Sequence, residues 1–429
     1  MKSPHLEYIF VGGDFMIEKA NFYLGGIILP ACICLVGLFF LFKLKFFYLI
    51  HPVRTFRVIL RSGGGFKALC IALAGTLGVG NIVGVSSAIM MGGAGAVFWM
   101  VLSALIAMSV KYSEAYLSSL HRRRDKGRSY GGAPYYIKDA TGKYGALFGG
   151  IFAIFCIINS LSTGTLVQIN SVSDILPTGK IFFGFVFAFV VFLVIIGGQG
   201  RIEAVTSLLI PILTTSYLLI SLFIVFSNLS ATGVAISTIF KEAFSLKSAL
   251  CGGVGFGISS AIRYGFTRGL LSNEAGCGTS SLAHASSNLS PFSQGCLGIF
   301  EVFWDTVVLC FITALVILIS GASSSTPIGL AINSYGEFLG SFGEGFIVCS
   351  CVLFALATVC SQYFYGEQSL RFLSTSNGAK AIYSLIFFSV CVFSSIIVSE
   401  VMWHICDLVV VCLALYNLVF LVVLSRKIK

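Results

Sequence analysis

The sequence from Gly75 to Gly84 reads GTLGVGNIVG, which places four glycines within ten residues in the middle of a long apolar segment. Each glycine disfavours a helix by about 1 kcal/mol relative to alanine, so we expect the helix to unwind or bend here. A backbone N–H or C=O group without a hydrogen-bond partner costs several kcal/mol of free energy in lipid. A broken membrane helix is therefore tolerated only where it faces protein or a water-filled cavity. The stretch predicts a binding site of the kind found in secondary transporters. The alternative is close helix packing through small residues.

Composition identifies the chain as a polytopic membrane protein. It has 429 residues, of which 57% are hydrophobic and only 10% are charged, and this is too apolar for a soluble globular protein. The formal net charge of +10 does not indicate a nucleic-acid partner, because the placement of lysine and arginine in a membrane protein matters more than their sum. The 14 cysteines lie mostly in apolar segments and are interpreted as small buried hydrophobic residues.

Eleven apolar segments are predicted to cross the bilayer, most of them reaching the roughly 20 residues that a crossing needs. The connections 43–67 and 119–145 are rich in lysine and arginine, which predicts that both are cytoplasmic. With alternating spans, the N-terminus is then outside and the C-terminus is in the cytoplasm, and Arg263 and Arg268 fall on the cytoplasmic side. The predicted spans are 22–43, 66–91, 94–118, 145–176, 181–198, 203–227, 240–272, 296–320, 345–373, 379–398 and 401–425.

A second glycine cluster, GGVGFG at 252–257, interrupts the predicted span 240–272 as the first cluster interrupts span 66–91. The two breaks lie five spans apart, so their segments cross the membrane in opposite senses, as inverted repeats of five helices require. We therefore predict an all-α fold with an extra N-terminal transmembrane helix and basic cytoplasmic loop, followed by two repeats with the binding site between the two breaks. These three parts are residues 1–65, 66–239 and 240–429.

Several motifs resemble the alanine or glycine:cation symporter family of the amino acid, polyamine and organocation superfamily. They follow the family's order from the second to the ninth span. The resemblance implies the leucine-transporter-like fold, a multi-pass location in a prokaryotic plasma (inner) membrane, and sodium-coupled uptake of small neutral amino acids such as alanine, glycine or serine. The motifs are the run from Thr76 to Gly84, GGAGAVFWM at 92–100, QIN at 168–170, RGLLSNEAGCG at 268–278, DT at 305–306 and YGE at 365–367.

Two departures from the family's pattern affect specificity and coupling. Where the family has a tryptophan against the substrate side chain, this chain has Gln362. The amide has two donors and an acceptor, which predicts a preference shifted from alanine toward small polar substrates such as serine. Where the family has a hydroxyl pair that helps to hold sodium, Ala357 precedes Thr358. Thr358 is therefore the expected metal ligand of a weakened sodium site, and a proton-coupled or uncoupled permease is the alternative.

An amino-acid substrate needs donors for its carboxylate and acceptors for its ammonium group. The N–H groups from Gly78 to Asn81 are the expected donors, helped by the positive end of the half-helix that follows. Carbonyl groups near Thr76 and in the second cluster are the expected acceptors. Gln168 offers both functions, or else forms an interhelical hydrogen bond worth about 0.6 to 2 kcal/mol. The predicted substrate-binding residues are Thr76, Gly78, Val79, Gly80, Asn81, Gln168, Gly252, Gly253, Gly255 and Gln362.

Three other polar residues have plainer interpretations. Asp305 is an intramembrane acid, which indicates either function or a network that anchors helices. Glu274 is expected to brace a gate or loop near the cytoplasmic end of its span, paired with Arg263 or Arg268. His284 has no acid at metal-ligand spacing, so no metal is predicted there.

Other function classes fit the sequence less well. A channel would need polar rings or repeated filter elements, and an enzyme would need a cluster of acids, histidines or cysteines, whereas the five histidines are dispersed. No P-loop motif is present, so no ATP site is expected. We predict a transporter with no catalytic residues and no cofactor apart from sodium as the coupling ion. Its expected partners are a small neutral amino acid, Na⁺ or H⁺ and the lipid bilayer, with no nucleic acid, and the expected assembly is a monomer.

Overall fold

The computed structural model describes residues 16–125, 127–176, 178–244, 256–397 and 400–428, and nearly all of this chain is helical. A two-stranded antiparallel hairpin, β1 (Arg123–Asp125) and β2 (Arg128–Tyr130), pairs Arg124 with Ser129. The helices are α1 (Met16–Lys43), α2 (Phe47–Ile50), α3 (Pro52–Arg61), α4 (Phe66–Thr76), α5 (Val83–Gly92), α6 (Gly95–Leu120), α7 (Ala133–Ala140), α8 (Gly142–Ser173), α9 (Lys180–Ile195), α10 (Gly198–Ser227), α11 (Leu229–Ala243), α12 (Phe256–Asn273), α13 (Ser281–His284), α14 (Pro291–Ser320), α15 (Pro327–Leu373), α16 (Asn377–Phe393) and α17 (Glu400–Val423).

Within the described ranges, seven helices are long and apolar enough to cross a membrane. The number becomes eight if α3 and α4, which meet at an angle of 72°, form one bent span. The chain is therefore a multi-pass all-α membrane protein, as its composition predicted. The eleven spans and the two five-helix repeats stay predictions, because α9, α16 and the segment Val79–Gly92 are shorter apolar helices.

The outer face of the bundle carries large apolar side chains. On α9, Phe182, Phe185 and Phe189 are exposed, whereas Phe187 is buried. A contiguous apolar face of this kind is unusual on a soluble protein and suits contact with lipid. The phenylalanine side chains of this helix thus have two roles: some suit contact with lipid, and others pack inside the bundle.

The first predicted break is present. Helix α4 ends at Thr76, α5 begins at Val83, and a short 3₁₀ turn at Val79–Asn81 lies between them. Gly78, which precedes this turn, has an extended backbone with φ −112° and ψ −158°. The prediction that the glycine-rich stretch interrupts a helix is confirmed.

The structure also describes a second interruption, which is distinct from the one predicted at the glycine cluster 252–257. Gly252, Gly253 and Gly255 lie outside the described residues, and residues 240–243 belong to α11 rather than to the helix that follows. That helix, α12, ends at Asn273, and the chain then leaves the helical path until α13 begins. In this second break Glu274, Gly276 and Gly278 have φ values of 49°, 94° and 74°. A left-handed backbone ends a helix, and it is strained at a non-glycine residue such as Glu274.

Helix α6 packs against both α12 and α14, and glycines make this possible. A side chain at Gly265 of α12 would collide with the carbonyl oxygen of Ala96, and one at Gly298 of α14 would lie 2.9 Å from the carbonyl oxygen of Lys111. Small residues let membrane helices approach closely. These contacts hold α12, and with it the second break, in a fixed position beside α6.

Replacing Gly265 with valine is expected to destabilise the protein, because the new Cβ would also lie 2.8 Å from Trp99 Cβ. Overpacking of this kind costs about 1 to 3 kcal/mol. Thermal unfolding of the purified protein in detergent should show a lower midpoint than wild type. Gly233→Val on α11 is the matched control, since a Cβ there has open space around it. Equal midpoints for the two variants would contradict the packing described.

Candidate functional site

A cavity of about 540 Å³ reaches the first break. Val79 and Gly80 of the first break border it, together with Gln168 on α8 and Ser272 on α12. The end of α8, the beginning of α15 and the beginning of α17 complete its wall. The residues that line it are Val79, Gly80, Val83, Gly84, Ser87, Thr163, Val167, Gln168, Ser171, Asp174, Arg268, Leu271, Ser272, Thr326, Pro327, Ile328, Trp403, His404 and Asp407.

Gln168 connects α8 to the first break. The Val79 N–H donates to Gln168 Oε1 at 2.9 Å, so one of the N–H groups predicted for the substrate already has a partner. A side chain at Gly78 would lie 2.6 Å from the same oxygen, and glycine is therefore needed for this approach. The interhelical hydrogen bond considered for Gln168 is present. Because Gln168 also lines the cavity, its amide NH₂ remains available there.

Gly80 presents its backbone to the cavity. A Cβ at this position would meet nothing closer than Ser272 Cα at 3.9 Å, so the absence of a side chain keeps the main chain accessible. Helix α5 begins three residues later, and the N-terminal end of a helix attracts negative groups. Among the predicted carboxylate donors, Gly80 is thus accessible from the cavity, and its contact with substrate stays a prediction.

Thr358 lies against the first break from the side of α15. Its hydroxyl donates to the carbonyl of Phe354 at 2.9 Å and to that of Leu77 at 3.3 Å. The residue is buried and does not line the cavity. The structure thus brings the predicted metal ligand next to a carbonyl of the break, while Ala357 beside it supplies no oxygen.

Thr76 and Asn81 do not line the cavity. The Thr76 hydroxyl donates to carbonyl groups of its own helix at 3.3 Å. Asn81 is buried, and its Nδ2 donates to Asp305 Oδ1 at 2.7 Å. In this conformation both side chains support the break, and their contact with substrate stays a prediction.

Gln362 lies away from the cavity and bridges the two breaks. It is fully buried, and its Nε2 donates to Glu274 Oε1 at 3.1 Å and to the Gly75 carbonyl at 3.5 Å. The NH₂ group is therefore already bonded, while Oε1 is buried and has no hydrogen-bond partner among the described residues. Neither group faces the cavity in this conformation. The shift toward serine therefore stays a prediction without a supporting contact.

Arg263 and Arg268, which the predicted topology assigns to the cytoplasmic side, both lie within α12. Arg268 lines the cavity together with Asp407 of α17, and the guanidinium of Arg263 lies 4.1 Å from the ring centroid of Phe22. Sequence reasoning missed this part of the wall, although an arginine in an apolar segment is itself a signal of a functional position.

A network of buried polar side chains surrounds the second break. Glu274 accepts from Thr279 Oγ1 at 2.5 Å as well as from Gln362, and it has no arginine partner among the residues described. Nearby, Glu301 of α14 forms an ion pair with Lys111 at 3.2 Å and contacts His284 Nε2 at 2.9 Å. The acid that the sequence did not show near His284 is therefore supplied by another helix. No group of three or more His, Cys, Asp or Glu side chains in the described ranges is arranged to hold a metal.

An all-α membrane bundle in which a broken helix borders a partly polar cavity has the architecture of a membrane transporter. The chain belongs to the sodium:alanine symporter family, whose model matches residues 12–429. The symporters of this family are transporters and not enzymes. The resemblance and the transporter class predicted from the sequence are confirmed.

Three relatives illustrate the range of the family. The chain is 34% identical to the "Amino-acid carrier protein AlsT" of Bacillus subtilis (strain 168), with 91% of this chain and 85% of the relative covered. It is 33% identical to the "Sodium/alanine symporter AgcS" of Methanococcus maripaludis, with 84% and 81% covered. It is 29% identical to the "Probable sodium/glutamine symporter GlnT" of Bacillus subtilis (strain 168), with 96% and 88% covered.

Gly80→Val is expected to block transport while leaving the fold intact, because the added side chain would occupy cavity space and meet no backbone closer than 3.9 Å. Loss of a contact to a charged group costs about 1.5 to 3 kcal/mol, so apparent substrate affinity should fall about 10- to 100-fold. The measurement is uptake of labelled amino acids in proteoliposomes, normalised to folded protein. Gly233→Val, away from the cavity, is the control. Wild-type uptake by Gly80→Val would show that substrate does not approach this backbone.

Proposed function

We propose that the chain is a secondary active transporter that couples the entry of a cation, sodium, to the uptake of small neutral amino acids by alternating access. The observation that carries the proposal is the meeting of Gly80 and Gln168 at the wall of the cavity. A zwitterion needs N–H donors and oxygen acceptors close together. Gly80, the beginning of α5 and the Gln168 amide supply the donors, and Ser171 and Ser272 supply hydroxyl oxygens.

Sodium is the proposed coupling ion. Sodium is a hard cation, and oxygen ligands suit hard cations. The Thr358 hydroxyl and the Leu77 carbonyl lie 3.3 Å apart, which fits two ligands of one ion. The family description and the name of AgcS support the same ion. Because Ala357 lacks the hydroxyl found in the family's pattern, we infer a low apparent affinity for sodium, and a proton-coupled or uncoupled permease remains the alternative.

The proposed substrates are alanine, glycine and serine. The name of AgcS favours alanine, and that of GlnT extends the class to a larger neutral amino acid. The three hydroxyl groups of Thr163, Ser171 and Ser272 on the cavity wall offer partners to a small polar side chain. Serine is therefore proposed from the cavity wall rather than from Gln362.

The proposed architecture is eleven spans in two inverted repeats, 66–239 and 240–429, after one extra helix in 1–65. We propose that the N-terminus is outside and the C-terminus in the cytoplasm of a prokaryotic inner membrane. Thr326 at the beginning of α15 lines the cavity and follows a loop predicted to be outside, so the described conformation is proposed to open outward.

The proposal is tested by uptake in proteoliposomes that contain only the purified protein. Labelled alanine, glycine, serine and glutamine are offered under an inward sodium gradient, an inward proton gradient or neither. We expect accumulation of the first three amino acids under the sodium gradient alone. Accumulation that follows only the proton gradient would establish the alternative coupling, and the absence of uptake under every condition would overturn the proposed function.

Ala357→Ser is expected to lower the sodium concentration that gives half-maximal uptake, because it adds a hydroxyl ligand beside Thr358. A gain of about 1 kcal/mol corresponds to about a fivefold change, and Thr358→Val should shift the value in the opposite direction. Ala331→Ser, which adds the same hydroxyl to another buried alanine of α15, is the matched control. If all three variants behave like wild type, sodium does not bind beside α15.

A further inference from the structure

Helix α3 has a basic side that faces away from the protein. Its three arginines are spaced three and four residues apart, which places them on one side of a helix with 3.6 residues per turn. All three are exposed, and they are Arg54, Arg57 and Arg61. The connection 43–67 contains six basic residues and no acid, so neighbours in the sequence do not balance this charge.

The rest of the α3 surface is largely apolar. Toward the bundle, the ring of Phe56 packs edge-on against Phe300 and Phe303 of α14, with ring centroids 6.1 and 5.6 Å apart. On the outer surface, Val53 and Leu60, which lie two helical turns apart on the same side, are 69% and 82% exposed. Exposed apolar side chains beside a row of arginines are typical of a helix that lies in the plane of a membrane surface.

The arginines of α3 form no ion pair with any residue that the structure describes. By contrast, Arg123 and Asp139, which belong to the other connection predicted to be cytoplasmic, pair at 2.6 Å. The charge on α3 is therefore complementary to an anion outside the protein. The exposed Val53 and Leu60 favour a partner that also has an apolar part, and an anionic phospholipid has both.

Helix α3 is joined to the first break through α4. The two helices meet at 72°, and α4 ends at Thr76. The bend is closely packed, because a side chain at Gly65 would collide with Leu289 and would lie 2.7 Å from Leu297 Cδ1. An attraction that holds α3 at the membrane surface therefore also acts on the helix that leads to the break.

We propose that α3 binds the headgroups of anionic phospholipids through its three arginines, while Val53 and Leu60 enter the acyl-chain region. Each basic residue near an anionic membrane surface strengthens association about fivefold. The bound lipid also supports uptake by fixing the bend between α3 and α4, and this part of the inference rests on the proposed transport function.

The site is tested by thermal unfolding of the purified full-length protein in a nonionic detergent, with increasing mole fractions of phosphatidylglycerol or phosphatidylcholine. A lipid that binds the folded state raises the midpoint. For wild type we expect only phosphatidylglycerol to raise it, with a half-saturating mole fraction that increases with salt, since salt screens charges. The triple variant Arg54→Gln, Arg57→Gln, Arg61→Gln is expected to need a mole fraction about 100-fold higher.

The matched control removes three exposed arginines from the β-hairpin, in the variant Arg123→Gln, Arg124→Gln, Arg128→Gln. It loses the same charge and is expected to respond to phosphatidylglycerol like wild type. An equal response of wild type and the α3 variant, or an equal response of wild type to the two lipids, would overturn the site. An equally large loss in the control would also overturn it, because total charge and not α3 would then attract the lipid.

A second variant, Val53→Ser with Leu60→Ser, separates a lipid from a soluble anion. It keeps every charge and loses apolar contact area, so the half-saturating mole fraction of phosphatidylglycerol is expected to rise at least about tenfold. Inorganic phosphate is the soluble probe and is expected to leave the midpoint of wild type unchanged. An undiminished lipid response in this variant, or stabilisation by phosphate as large as that by lipid, would assign the arginines to a soluble anion and overturn the lipid site.

Uptake connects the site to transport. In proteoliposomes, wild type is expected to take up amino acid faster when phosphatidylglycerol is included in the phosphatidylcholine membrane, and the α3 arginine variant should lose this dependence. Lipid binding without uptake in either membrane would overturn the proposed function and leave the site standing. Equal uptake by wild type in the two membranes would overturn the role of the lipid in transport.

Discussion

An interrupted helix inside a bilayer leaves peptide groups that lipid cannot satisfy, and the fold is arranged around the first break for this reason. Side chains from other helices contact it in turn. Gln168 of α8 accepts from the Val79 N–H, Thr358 of α15 donates to the Leu77 carbonyl, and Asp305 of α14 holds Asn81. The contacts that give the polar groups of the break hydrogen-bond partners also bring the polar side chains of the candidate site together.

The two breaks are also joined to each other. Gln362 donates both to the Gly75 carbonyl, in the last turn of α4 before the first break, and to Glu274 of the second break. Hydrogen bonds between membrane helices are worth only about 1 kcal/mol each. A bundle held in this way has a defined geometry at the site and can still exchange one set of contacts for another, which alternating access requires.

Two fully buried carboxyl groups on α14 differ in their partners. Glu301 has Lys111 and His284 as partners, so its charge is balanced within the protein. Asp305, four residues further along the chain, has only neutral donors around it. The ion pair of Glu301 connects α14 to α6, whereas Asp305 connects α14 to the first break through Asn81.

The sequence by itself determined the class of protein, the all-α fold and the first break, because composition, hydropathy and a run of glycines are local properties of the chain. Its motifs also sufficed to identify the family. They selected Gly80 and Gln168 as candidate substrate-binding residues and Thr358 as a candidate metal ligand. Only the tertiary structure decided the position of the second described break, the placement of Arg268 on the cavity wall and the burial of Gln362. These features depend on which side chains from distant helices meet, such as Gln362 with Glu274. Hydrophobic periodicity does not carry that information, since an apolar segment looks the same whether it faces lipid, another helix or a cavity.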